Sequence, residues 1–131
     1  MKSHEALIRL KTFQVEDKRR KVAQIETMIA EFERMANDLD REIRVEQDRS
    51  GIHDPSHYAY PTYAKAALAR RDNLRHSAAE LRGQLADAKV ALQEACDERR
   101  KVELLGEREC NAEARAQSDV DPLALSRAAL A

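Results

Sequence analysis

The residues that could do chemistry are few and scattered. His53 and His57 stand four apart, a separation that on a helix lets two imidazoles share one metal ion. They lie beside Asp54 and Pro55, however, in a stretch that reads as a loop, and no further ligand accompanies them. They are expected to be ordinary polar loop residues. Cys96 and Cys110 form no CxxC pair and have no histidine nearby, so they read as reduced thiols of a cytosolic protein. Lys18-Arg19-Arg20-Lys21 is a basic run, but Glu16 and Asp17 precede it and Glu26 follows. A solvated helix face accounts for it, and a docking site for an acidic protein surface is the alternative. Tyr58, Tyr60 and Tyr63 are all the tyrosines in the chain. They either close a helix-to-helix turn or form an exposed aromatic docking patch, and the rings can divide these roles. Gly51, Gly83 and Gly106 are too dispersed for a phosphate loop, and there is no GxxxxGK[ST], nucleophile elbow or HExxH. No catalytic residue, cofactor or metal ion is therefore expected, and a binding or structural role is.

Composition points the same way. Charged residues make up 36% of the 131 residues, aromatics 4%, and tryptophan is absent, which leaves too few large side chains for a globular core. Such a mixture suits long solvated helices. The formal net charge of −1 favours neither nucleic acid nor an anionic membrane as partner. No apolar run approaches the roughly 20 residues of a spanning helix. The first residues show no signal-peptide pattern, so direct membrane insertion is not expected.

The elements are legible in the apolar pattern. Val22, Ile25, Ile29, Phe32, Ala36, Leu39 and Ile43 alternate spacings of three and four, which is the seam of a coiled coil. Leu74, Ala78, Leu81, Leu85, Ala88, Leu92 and Ala95 repeat it. The expected fold is all-α: a long antiparallel two-helix coiled-coil hairpin, helix 1 over about 3–49, a Pro/Gly loop near 50–60, and helix 2 over about 61–117. Together these form one domain, 1–117. Residues 118–131 read as a frayed, flexible tail or a short last helix. Pairing residues whose numbers sum to about 110 sets large side chains against small ones, Phe32 against Ala78 and Ala36 against Leu74, and places the apex at Pro55. The seam weakens towards the termini. Lys11 and Lys18 take d positions, Arg71 and Arg99 interrupt a positions, and Leu7, Leu10 and Phe13 lie off the seam. In this register Lys11 faces Arg99, so the termini end should be loose or completed by an acidic partner.

Several stretches carry a family likeness. These are Leu7-Ile8-Arg9-Leu10-Lys11, Phe13-Gln14-Val15-Glu16-Asp17-Lys18-Arg19-Arg20-Lys21-Val22-Ala23-Gln24-Ile25-Glu26, Tyr58-Ala59-Tyr60-Pro61-Thr62-Tyr63 and Arg70-Arg71-Asp72-Asn73-Leu74. Over roughly Ile8 to Leu105 the layout resembles the flagellar export protein FliJ family, its alphaproteobacterial branch in particular. The Tyr-Ala-Tyr-Pro opening lifts the likeness above that shared by all heptad repeats. The resemblance implies a non-enzymatic rod, like the central stalk of rotary ATP synthases, in the flagellar type III export apparatus. It would be cytoplasmic and peripheral to the inner membrane. The implied partners are the hexameric export ATPase (FliI), the cytoplasmic domain of the export gate (FlhA) and export chaperones. By position, Ile8, Lys11, Arg19, Arg20 and Arg99 would lie at the ATPase end, and Tyr60, Tyr63 and Ala67 at the gate-binding surface. The alternative is a generic coiled-coil scaffold or a small chaperone that binds partner helices.

Overall fold

No glycine or proline precedes Gly51, so nothing in the first fifty residues interrupts a helical backbone. In the computed structural model, which describes residues 2–119, this stretch forms α1, Lys2–Ser50, and the second heptad stretch forms α2, Thr62–Asp119. The tail expected over 118–131 lies outside the described residues from 120 onward. Gly51 ends α1 with a φ of 72°, a backbone conformation that side chains disfavour, and its N–H donates to the Gln47 carbonyl at 2.9 Å. Two hydrogen-bonded turns follow, His57 N–H to the Asp54 carbonyl at 3.1 Å and Tyr60 N–H to the His57 carbonyl at 3.0 Å. The Asp54 carboxylate fixes the first turn by accepting from the Ser56 hydroxyl and N–H at 2.7 and 3.0 Å. Those bonds hold its pKa below the ordinary carboxylate value. Pro61 then opens α2, its carbonyl accepting from Lys65 N–H at 3.0 Å.

The backbone contacts fall into two units, Lys18–Leu92 and the remainder of both helices, up to Asp17 and from Gln93 onward. Within Lys18–Leu92 the helices pack antiparallel as a helical hairpin. Its core joins Val22, Ile25 and Ile29 of α1 to Leu81 and Ala88 of α2, with Phe32, Leu85 and Leu92 against it. Nearer the turn, Ala36, Ile43, Tyr60, Ala64, Ala67 and Ala78 are buried. These are the seam positions of both heptad stripes, and the cluster unites residues whose numbers sum to about 110, as in an antiparallel seam with a facing d. Each large apolar side chain so buried contributes about 1.5–3 kcal/mol.

Charge reinforces that register. Arg71 fills an apolar seam position, yet its guanidinium donates to Asp40 Oδ1 across the helices at 2.8 Å and to Asp72 on its own helix at 3.0 Å. Arg75 also bonds Asp40, and Arg82 pairs with Glu33. Burial raises the Asp40 pKa, but the hydrogen bonds and charges of Arg71 and Arg75 outweigh it and hold the carboxyl below its usual value. Donating that same bond to Asp40 raises the Arg71 pKa.

In the other unit the apolar core is thin. Val15 and Val102 are buried, and Ile8 is half-buried. Lys11 and Arg99, set against each other by the sequence register as like charges, each find a carboxylate. Lys11 Nζ lies 3.9 Å from Glu98 and Arg99 Nε lies 3.7 Å from Glu103. The expected repulsion is thus relieved by glutamates at positions flanking the seam.

Candidate functional site: partner-binding surfaces

Among the described residues no group of three or more His, Cys, Asp or Glu is placed to hold a metal ion. His53 and His57 are not on a helix. His53 Nε2 lies 3.3 Å from Asp48, and His57 Nδ1 accepts from Ala59 N–H at 3.0 Å. Cys96 is half-buried, Cys110 exposed, and both are free thiols. No helix among the described residues is long and apolar enough to cross a membrane. Exposed aromatic and apolar side chains are the surface features that remain.

The tyrosines divide the two roles. Tyr60 is buried, and its hydroxyl accepts from Gln47 Nε2 at 2.9 Å, tying the start of α2 to the end of α1. Tyr58 is 96% exposed with its ring stacked on His57. Tyr63 is 55% exposed and donates to Glu42 Oε2 at 2.6 Å. That bond to a carboxylate raises its pKa, so the hydroxyl remains a donor. Tyr63 also lines a shallow groove with Asp38, Arg41, Glu42, Val45 and Glu46. Of the three residues placed on a gate-binding surface, Tyr63 is therefore accessible, whereas Tyr60 and Ala67 belong to the packed seam.

The residues expected at an ATPase end also differ in environment. Ile8, Lys11 and Arg99 share the thin-cored unit, all half-buried, the latter two in the ion pairs above. Arg19 and Arg20 belong to the Lys18–Leu92 unit, where both are exposed and each is engaged by a neighbour. Beside the half-buried group, Leu7, Leu10, Phe13, Leu104 and Leu105 are 39–63% exposed. Exposed large apolar side chains outnumber buried ones here, a pattern more usual at surfaces that meet a partner than at solvated ones.

A node of this unit was not read from the sequence. The His4 ring lies over Gly106, where a Cβ would come within 2.5 Å of it. Its Nε2 lies 2.7 Å from the Val102 carbonyl, to which it must donate, and Nδ1 lies 3.7 Å from Glu109. His4 falls at a d position and Gly106 at an a position when the seam is extended, so the register itself held the signal. Gly106→Ala gains about 1 kcal/mol of helix propensity but displaces the ring and its hydrogen bond, a loss of similar size. Gly106→Ala is accordingly expected to leave stability nearly unchanged while shifting the His4 ring resonances in NMR spectra. In a His4→Ala background the same change should stabilise by about 1 kcal/mol. Equal effects in both backgrounds would show that ring and glycine are uncoupled.

Set against known proteins, the chain matches no protein-family model, no curated protein and no solved structure.

Proposed function

We propose that the protein is a non-enzymatic component of the flagellar type III export apparatus. In this reading its thin-cored unit meets the export ATPase FliI, and the groove at Tyr63 meets the cytoplasmic domain of FlhA. It also assists export chaperones, from the cytoplasmic side of the inner membrane. The observation that carries the proposal is the exposure of Leu7, Leu10, Phe13, Leu104 and Leu105 around a core of Val15 and Val102. A helix pair so sparsely packed gains more from a partner than from itself. The choice of partner comes from the resemblance at Ile8–Glu26 and at Tyr58–Tyr63. A second reading, a small chaperone that clamps partner helices, is favoured by Met28, Val45 and Val90, which expose apolar surface outward from the Lys18–Leu92 hairpin.

Co-purification with FliI, with ATP hydrolysis measured as this protein is titrated in, tests the proposal. Retention on the ATPase and a changed turnover are expected, and both should be lost in a Leu7→Ser, Leu10→Ser, Leu104→Ser variant. Absence of binding together with unaltered hydrolysis sinks the ATPase assignment.

A further inference from the structure

In the Lys18–Leu92 hairpin one flank of the seam is electrostatically self-satisfied. The e positions of α1 supply Glu33 and Asp40, and those of α2 supply Arg82 and Arg75, which pair with them. In the other unit the facing e positions are Glu5 with Cys110 and Thr12 with Glu103, so no opposite charges pair there. Glu5 of α1 and Glu103, Glu107, Glu109 and Glu113 of α2 line a groove of about 400 Å³. Among the described residues no lysine or arginine lines this groove. Among the described residues no ion pair engages Glu5, Glu107 or Glu113, and Glu103 has Arg99 at 3.7 Å. The floor is Ile8 and the His4 ring, and the accessible wall is more apolar than polar.

We infer that this groove is a docking site for a basic amphipathic helix of a partner protein. An apolar floor between two helices accepts the i, i+3, i+4 ridge of a third helix, and lysines or arginines flanking that ridge would reach the glutamate rim. A metal ion does not fit, because the carboxylates are not grouped to share one. An acidic partner would add to the repulsion, although the sequence register by itself had suggested one at this end. The cations that prompted that idea, Lys11 and Arg99, are already paired, and the charged groups that line the groove itself are carboxylates beside the His4 ring. The inference rests on the groove alone and does not use the export reading.

The test uses the full chain and a fluorescently labelled Leu–Lys heptad peptide, with binding followed by anisotropy at low and high salt. Saturable binding that weakens with salt is expected. The triple change Glu5→Gln, Glu107→Gln, Glu113→Gln should weaken it roughly tenfold, about twofold for each rim charge, and flatten the salt dependence. Glu80→Gln with Glu94→Gln, exposed glutamates elsewhere on α2, should leave it unchanged. Glutamine preserves helix propensity, and circular dichroism verifies that the variants remain folded. Absence of binding, equal loss in the control variant, full binding by the triple variant, or equal binding of a Leu–Glu peptide would each overturn the inference. Sedimentation equilibrium adds one more outcome. Self-association abolished by the same triple change would assign the groove to a second copy of the chain, and so overturn it too.

Discussion

Asp40→Ala should lower the thermal midpoint by roughly 5–10 °C, on a cost of about 1–2 kcal/mol. The carboxylate is 18% exposed and serves two guanidiniums, Arg71 on the seam and Arg75 beside it. Removing it takes from Arg71, at a half-buried seam position, its partner across the helices. The cost falls between that of a surface pair and that of a fully buried one, because Arg71 keeps Asp72 and remains 22% exposed. Replacing both partners reverses the sign of the problem. Asp40→Ala with Arg71→Leu restores an unbroken apolar seam and should recover most of the loss, since a well-packed hydrophobic pair substitutes for an ion pair at little cost. The pH dependence follows from the direction of the shift. Asp40 has a lower pKa folded than unfolded, so its contribution is present above the unfolded value of about 3.9 and is lost as pH falls through the folded one. Asp40→Asn should therefore show a shallower loss of stability on acidification below about pH 4 than the parent chain. Thermal melts across that range check this. An unchanged midpoint for Asp40→Ala would mean that the bridge is an ordinary surface pair.

The same residues show where the sequence was legible. Apolar spacing of three and four is a property of the helix itself, so the seam, the antiparallel register and the turn could be read without structure. What interrupted the spacing could not. Arg71, Lys11 and Arg99 stand in seam positions and look like defects, because a heptad reading weighs a and d positions and their partners stand elsewhere. Asp40 and Glu103 are at e positions and Glu98 at a g position, just outside the stripe that periodicity follows. His4 and Gly106 were missed for the opposite reason. Both lie on the stripe, but a glycine and a histidine do not register as apolar hits, although small opposite large is the rule that pairs Phe32 with Ala78. The surfaces proposed for partners were less legible still. Heptads are common to all coiled coils, and spacing does not tell an inward tyrosine from an outward one.

Tyr60→Ala and Tyr63→Ala should separate fold from docking. Tyr60 is 7% exposed and precedes Pro61, where the chain must turn into α2 while its ring covers the end of the seam. Truncating it removes a buried aromatic and should cost about 3 kcal/mol. Tyr60→Phe loses only the bond from Gln47 Nε2, about 1 kcal/mol. Tyr63→Ala gives up an exposed ring and one bond to Glu42, so stability should fall by about 0.5 kcal/mol at most. If the groove at Tyr63 receives the export gate, binding of the FlhA cytoplasmic domain should behave in the reverse order. Tyr63→Ala should weaken it by tenfold or more, as removal of an aromatic anchor does, and Tyr60→Phe should leave it intact. Denaturant melts and titration calorimetry on the same three variants supply both readings. A double change at Tyr60 and Tyr63 would not, because loss of binding would follow from either cause. Undiminished gate binding by Tyr63→Ala would remove this groove from the interface and leave the exposed ring of Tyr58 as the remaining aromatic anchor at the turn. Weakened binding by Tyr60→Phe at nearly full stability would instead mean that the turn opens when the gate binds, since a hydroxyl covered by Gln47 reaches a partner only then.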